Sequence, residues 1–133
     1  MKRALVRTAI AAVLSGISLV AAAVNLDAFD GDAMRAMDDA FQDLEPVLGA
    51  SNTAAAKENL ATLNDGYQWT LAFFIEQEKE GREGIEILKA GGKLLGEIET
   101  ALNKRDFTAA TAKARELQGN CKSCHEKYKP KRQ

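Results

Sequence analysis

Apolar residues recur at alternating steps of three and four along most of this chain, the spacing that lines one face of an α-helix. Met34, Met37, Phe41, Leu44 and Leu48 form the first stripe. It predicts a helix over roughly 27–45, ended or kinked at Pro46. Ala56, Leu60, Leu63, Tyr67, Leu71 and Phe74 form the second, behind a Ser51-Asn52-Thr53 cap, with Trp69 and Phe73 broadening it near its end. Ile85, Leu88, Leu95, Ile98 and Leu102 form the third. That segment also carries Gly84, Gly91, Gly92 and Gly96, each worth about 1 kcal/mol against alanine, so a break at Gly91-Gly92 competes with a close approach of backbones. Phe107, Ala110, Ala114, Leu117, Cys121, Cys124 and Tyr128 form the fourth, with Asp106 as its cap. No segment alternates with the period of a strand.

Four amphipathic helices with short links predict an all-α fold, an antiparallel up-down-up-down four-helix bundle. Residues 1–23 read differently. Lys2, Arg3 and Arg7 precede an apolar run, and Ala21-Ala22-Ala23 offers a small-residue cleavage site. This is the pattern of a removable export signal. The run is shorter than the ~20 residues a membrane span needs. Residues 24–133 are then one domain, expected to be soluble in the periplasm after cleavage.

Charge changes the picture in one respect. Residues 24–120 hold 10 basic and 18 acidic groups, whereas 121–133 hold five basic and one acidic. An acidic bulk surface argues against nucleic acid. The basic tip, Lys122, Lys127, Lys129, Lys131 and Arg132, either complements a helix C-terminus or serves as a docking face for redox proteins.

The candidate chemistry sits beside that tip. Cys121-Lys122-Ser123-Cys124-His125 takes both cysteines and the one histidine of the chain. Cys-x-x-Cys-His is the attachment signal of a c-type haem: two thiols bond the vinyl groups, and the histidine ligates the iron. Spacings of three and four put all three side chains on one helix face. A thioredoxin-like pair would need an alternating β/α context, and a zinc site would need a fourth ligand of a kind the chain lacks. The cysteines fall on the apolar stripe of the fourth helix, which directs the haem into the bundle. One covalent haem c per chain is expected, with Cys121 and Cys124 as thioethers and His125 as proximal ligand.

In an up-down-up-down bundle the end of the fourth helix is level with the start of the first. His125 and Met34 each lie about five residues from that end, or ~7 Å at 1.5 Å per residue. Met34 is thus the candidate distal ligand, with Met37 one turn deeper as fallback and an empty or water-filled position as the other choice. Trp69, Phe73 and Phe74 close the second helix at the same end and are expected to wall the pocket. His/Met ligation raises the potential and suits electron transfer, while an open position suits diatomic gases.

On Cys121 to Lys129, the four-helix pattern, Met34-Arg35-Ala36-Met37 and Pro46, the chain resembles the class II c-type cytochromes, cytochrome c′ and the low-spin cytochrome c-556 type. The resemblance spans essentially the whole of 24–133. It implies a non-enzymatic electron carrier with Met34 at the distal position. The alternative it carries is a five-coordinate cytochrome c′ that binds NO or CO. Two positions depart from the family pattern. Asp30 stands where an arginine is common, and Lys129 stands where the residue after the motif tyrosine is often arginine. Contacts to the haem propionates are open for that reason. Monomer and homodimer both stand.

Overall fold

The computed structural model describes residues 24–128. The export-signal residues 1–23 and the tip residues Lys129, Lys131 and Arg132 lie outside them. The described residues form an all-α structure: α1 (Gly31–Gly49), α2 (Thr53–Glu76), α3 (Arg82–Asn103) and α4 (Phe107–Tyr128), with no strand among them. Short 3-10 turns, Leu26–Ala28 and Glu78–Gly81, precede α1 and α3. No helix of the described residues is long and apolar enough to cross a membrane.

The first helix departs from expectation at both ends. It starts at Gly31 because Asp30 caps it, accepting from Asp32 N at 2.9 Å. Asp30 is therefore a helix cap. At the other end α1 runs through Pro46 to Gly49. Proline costs one backbone bond, but the extra turn buries Leu48 to 1 % exposure beside fully buried Leu44. Asn52 then caps α2, accepting from Ala55 N at 3.1 Å, and Asp106 caps α4, accepting from Ala109 N at 3.0 Å.

Each link between α-helices contains one non-glycine residue with positive φ: Ser51 (54°), Glu78 (54°) and Arg105 (56°). Left-handed backbone is costly for residues with a Cβ, by about 1 kcal/mol. The strain is confined to the links, where a single residue reverses the chain.

Each helix packs on its neighbours in sequence, and α1 also touches α4, though least closely of the four pairs. Apart from Phe74, the most deeply buried large side chains come from the C-terminal halves of α1 and α3 (Leu44, Leu48, Leu95, Ile98, Leu102) and the N-terminal halves of α2 and α4 (Leu63, Leu117). Ala56, Ala110 and Ala114 let the helices approach there.

Of the two alternatives at Gly91-Gly92 the break does not occur; α3 is continuous. The two glycines do different things. A Cβ at Gly91 would overlap the Tyr67 ring and Asn120 Oδ1, whereas one at Gly92 or Gly96 would meet nothing within 4 Å. Gly91 is thus a point of close approach, and Gly92 is a helix position without a packing reason for glycine. Gly92→Ala is expected to stabilise the fold by ~0.5–1 kcal/mol through helix propensity. Gly91→Ala is expected to destabilise it by ~1–3 kcal/mol through overpacking. Urea unfolding of the two variants beside the parent chain checks both signs.

Candidate functional site

The last two turns of α4 carry the motif, and the helix holds its spacing. Cys121, Cys124 and His125 are each half-buried and all line one cavity of about 820 Å³. Met34 and Met37 of α1 line it too, with Tyr67 and Thr70 of α2 and Leu88 of α3. The volume falls within the ~300–1,000 Å³ range of sites that bury a small-molecule ligand or cofactor. It lies along the α1–α4 side, where the helices approach least. A second cavity of about 400 Å³ shares Met34, Cys124 and His125 and adds Phe74 and Tyr128.

The structure brings Met34, Met37, Cys121, Cys124 and His125 together. It separates the aromatic residues of α2. Phe74 lines the second cavity and meets Tyr128 edge-on at 4.7 Å. Trp69 and Phe73 line neither cavity. They pack around Phe29, with ring centroids 4.6 and 5.0 Å away, and Trp69 remains 38 % exposed. The helical rotation explains the split: Phe73 and Phe74 are 100° apart, and the chain entering α1 covers the Trp69–Phe73 side.

The two methionines also differ. Met37 is buried, and its side chain lies in the space left by Gly66, where a Cβ would overlap its sulfur. Thr70 Oγ1, back-bonded to Gly66 O at 2.7 Å, lies 4.0 Å from the same sulfur. Met37 is thus held against α2. Met34 is half-buried and lines both cavities.

Motif spacing did not point to Asn120 or to a polar role for Tyr67. Tyr67 Oη lies 2.9 Å from Asn120 Oδ1 and 3.6 Å from Cys121 Sγ. Asn120 Nδ2 donates to Ile87 O at 2.7 Å. A further tie sits past the histidine, where Gly84 N donates to Tyr128 Oη at 3.1 Å. Lys127 of the basic tip pairs with Glu83, and exposed Lys122 lines the larger cavity.

Burial dominates the electrostatics. It pushes the Cys124 thiol up to about 11, with the neighbouring Cys121 adding to the shift. It also raises Cys121. Tyr67 is raised as well, first by burial and then by the cysteines. Both cysteines are neutral near pH 7, whereas a redox dithiol needs an accessible thiolate. Among the described residues, no three His, Cys, Asp or Glu side chains converge to hold a bare metal ion. The donor set is instead two neutral thiols, an imidazole and a thioether around an apolar cavity. That is the set a planar macrocyclic cofactor with its own metal would use.

No protein-family model matches the chain, and neither a curated protein nor a solved structure matches it.

The raised thiols give a pH dependence with a definite sign. The unfolded thiols, near 8.5, ionise before the folded Cys124, so the folded chain holds its proton longer. With both thiols free, alkylation of Cys124 at pH 8 is expected to be at least tenfold slower in the folded chain than in urea. The gap should close as the pH rises toward 11. Mass spectrometry of the iodoacetamide adducts at each pH reads both rates.

Proposed function

We propose that this chain is a c-type cytochrome of the four-helix-bundle kind, a one-electron carrier with a single haem bonded to Cys121 and Cys124. The observation that carries the reading is that Cys121, Cys124, His125 and Met34 line one cavity. When bound, the haem supplies a reversible one-electron couple. The chain does the rest. Cys121 and Cys124 anchor it through their sulfurs, His125 offers an imidazole nitrogen to the iron, and Leu63, Leu88 and Tyr67 exclude water from its side of the cavity.

Met34 is the preferred distal ligand. Met37 has comparable donor chemistry, but its sulfur is held against Gly66 and Thr70. Antiparallel helices fit the contacts: Met37 meets Gly66, Tyr67 meets Gly91, and Gly84 meets Tyr128. In each pair a residue from the first half of one helix meets a residue from the second half of its neighbour. An up-down-up-down bundle accounts for all of them. The leader pattern of residues 1–23 supports export to the periplasm, and exposed Lys122 beside the cavity suits docking of an acidic redox protein.

Absorption spectra of the oxidised and reduced holoprotein test the assignment. The parent is expected to be low-spin, with a sulfur-to-iron charge-transfer band. Met34→Ala should abolish the band and let the reduced protein bind carbon monoxide, and Met37→Leu should leave the band in place. A high-spin parent that binds carbon monoxide directly would favour the gas-binding cytochrome c′ reading. A band that survives in Met34→Ala sinks the Met34 ligand.

A further inference from the structure

The Tyr67 hydroxyl is a buried titratable group at the cavity that ligation by His125 and Met34 leaves without a task. Its neighbours determine which way its proton points. Asn120 makes its 2.7 Å contact with the backbone carbonyl of Ile87. A carbonyl oxygen only accepts, so the amide nitrogen must face α3 and the amide oxygen must face Tyr67. The phenol, 2.9 Å from that oxygen, is therefore the donor. It has one proton, and that proton is committed to Asn120. What the hydroxyl turns toward Cys121 Sγ, 3.6 Å away, is its lone pairs. A thiol can donate into them; a thioether sulfur, which carries no proton, cannot.

The arrangement is held from three helices. Gly91 of α3 leaves the space in which the Tyr67 ring of α2 and the Asn120 amide of α4 meet. Tyr67 as a whole is 5 % exposed, with its ring packed between α3 and α4. In such surroundings a fixed dipole acts strongly on nearby charge.

We propose that Asn120 is a positioning residue that turns the Tyr67 hydroxyl oxygen-first toward the Cys121 sulfur, and that the pair thereby lowers the reduction potential of the haem. The inference rests on the haem reading above. The negative end of a dipole beside the Cys121 sulfur would oppose the arrival of an electron on a haem bonded there, and hydrogen bonding around a haem is one of the protein's means of setting its potential. Without the amide oxygen, the phenol proton has the Cys121 sulfur as its other hydrogen-bonding neighbour among the described residues. The dipole then reverses. Without the hydroxyl, the dipole is gone.

The test is a double-mutant cycle read by spectroelectrochemistry on the holoprotein, with covalent haem first measured as the pyridine haemochrome. Tyr67→Phe should shift the potential upward with the axial-ligand band unchanged. Asn120→Leu should shift it upward further. In the Tyr67→Phe background, Asn120→Leu should add nothing, because Asn120 acts through the hydroxyl. An Asn120→Leu shift of equal size in both backgrounds overturns the positioning role. A downward or absent shift in Tyr67→Phe overturns the dipole direction, and that variant keeps its ring and decides the point even if Asn120→Leu does not fold. A parent chain without covalent haem overturns the functional reading itself, and the haemochrome assay tells that failure from the others.

Discussion

Three helices meet at Gly91 because that residue has no side chain. The Tyr67 ring and the Asn120 amide occupy the space a Cβ would take. From that contact the amide reaches Ile87 O and Tyr67 Oη together, and Cys121 follows Asn120 directly in the chain. The position of the cysteine motif relative to α2 and α3 is therefore set by a missing methyl group on α3. These part-buried hydrogen bonds tie the last turns of α4 to α2 and α3.

The molecule divides its packing along the length of the helices. Leucine, isoleucine and alanine close one part of the core, where Leu44, Leu95, Ile98 and Leu117 are completely buried. The part that carries the motif holds a cavity of about 820 Å³ instead. Interiors are close-packed, and a chain of this size gains little from an empty volume. A large apolar group bonded to the two thiols would restore the packing and explain why the motif occupies the apolar stripe of α4. Phe29, Trp69 and Phe73 form an aromatic cluster that covers the entry to α1 and continues through Phe73 to Phe74.

Much of this was legible from residue spacing. The three-and-four steps locate all four helices, and the Asp106 and Asn52 caps appear where the sequence predicts them. Pro46 does not end α1, since its cost is local while the reward, burial of Leu48, depends on α1 meeting its neighbours. Gly91 and Gly92 are indistinguishable as letters, and only the chain passing 24 residues earlier and 29 later tells them apart. Trp69 and Phe73 continue an apolar stripe, but the stripe on α2 is wide enough to serve two surfaces. Asn120 carries no signal of its own, as its partners Tyr67 and Ile87 lie 53 and 33 residues away.

The amino-acid sequence by itself determined the helices, the single set of Cys121, Cys124 and His125 on one face, and the small number of methionines that could stand across from them. These are matters of period and count, which local backbone geometry reads directly. Only the tertiary structure decided that Met37 is held against Gly66 while Met34 lines both cavities, that α3 runs unbroken past Gly91, and that the Tyr67 proton points to Asn120. Each depends on side chains from different helices competing for one small volume, and which of them gains it depends on distances that no spacing along the chain encodes.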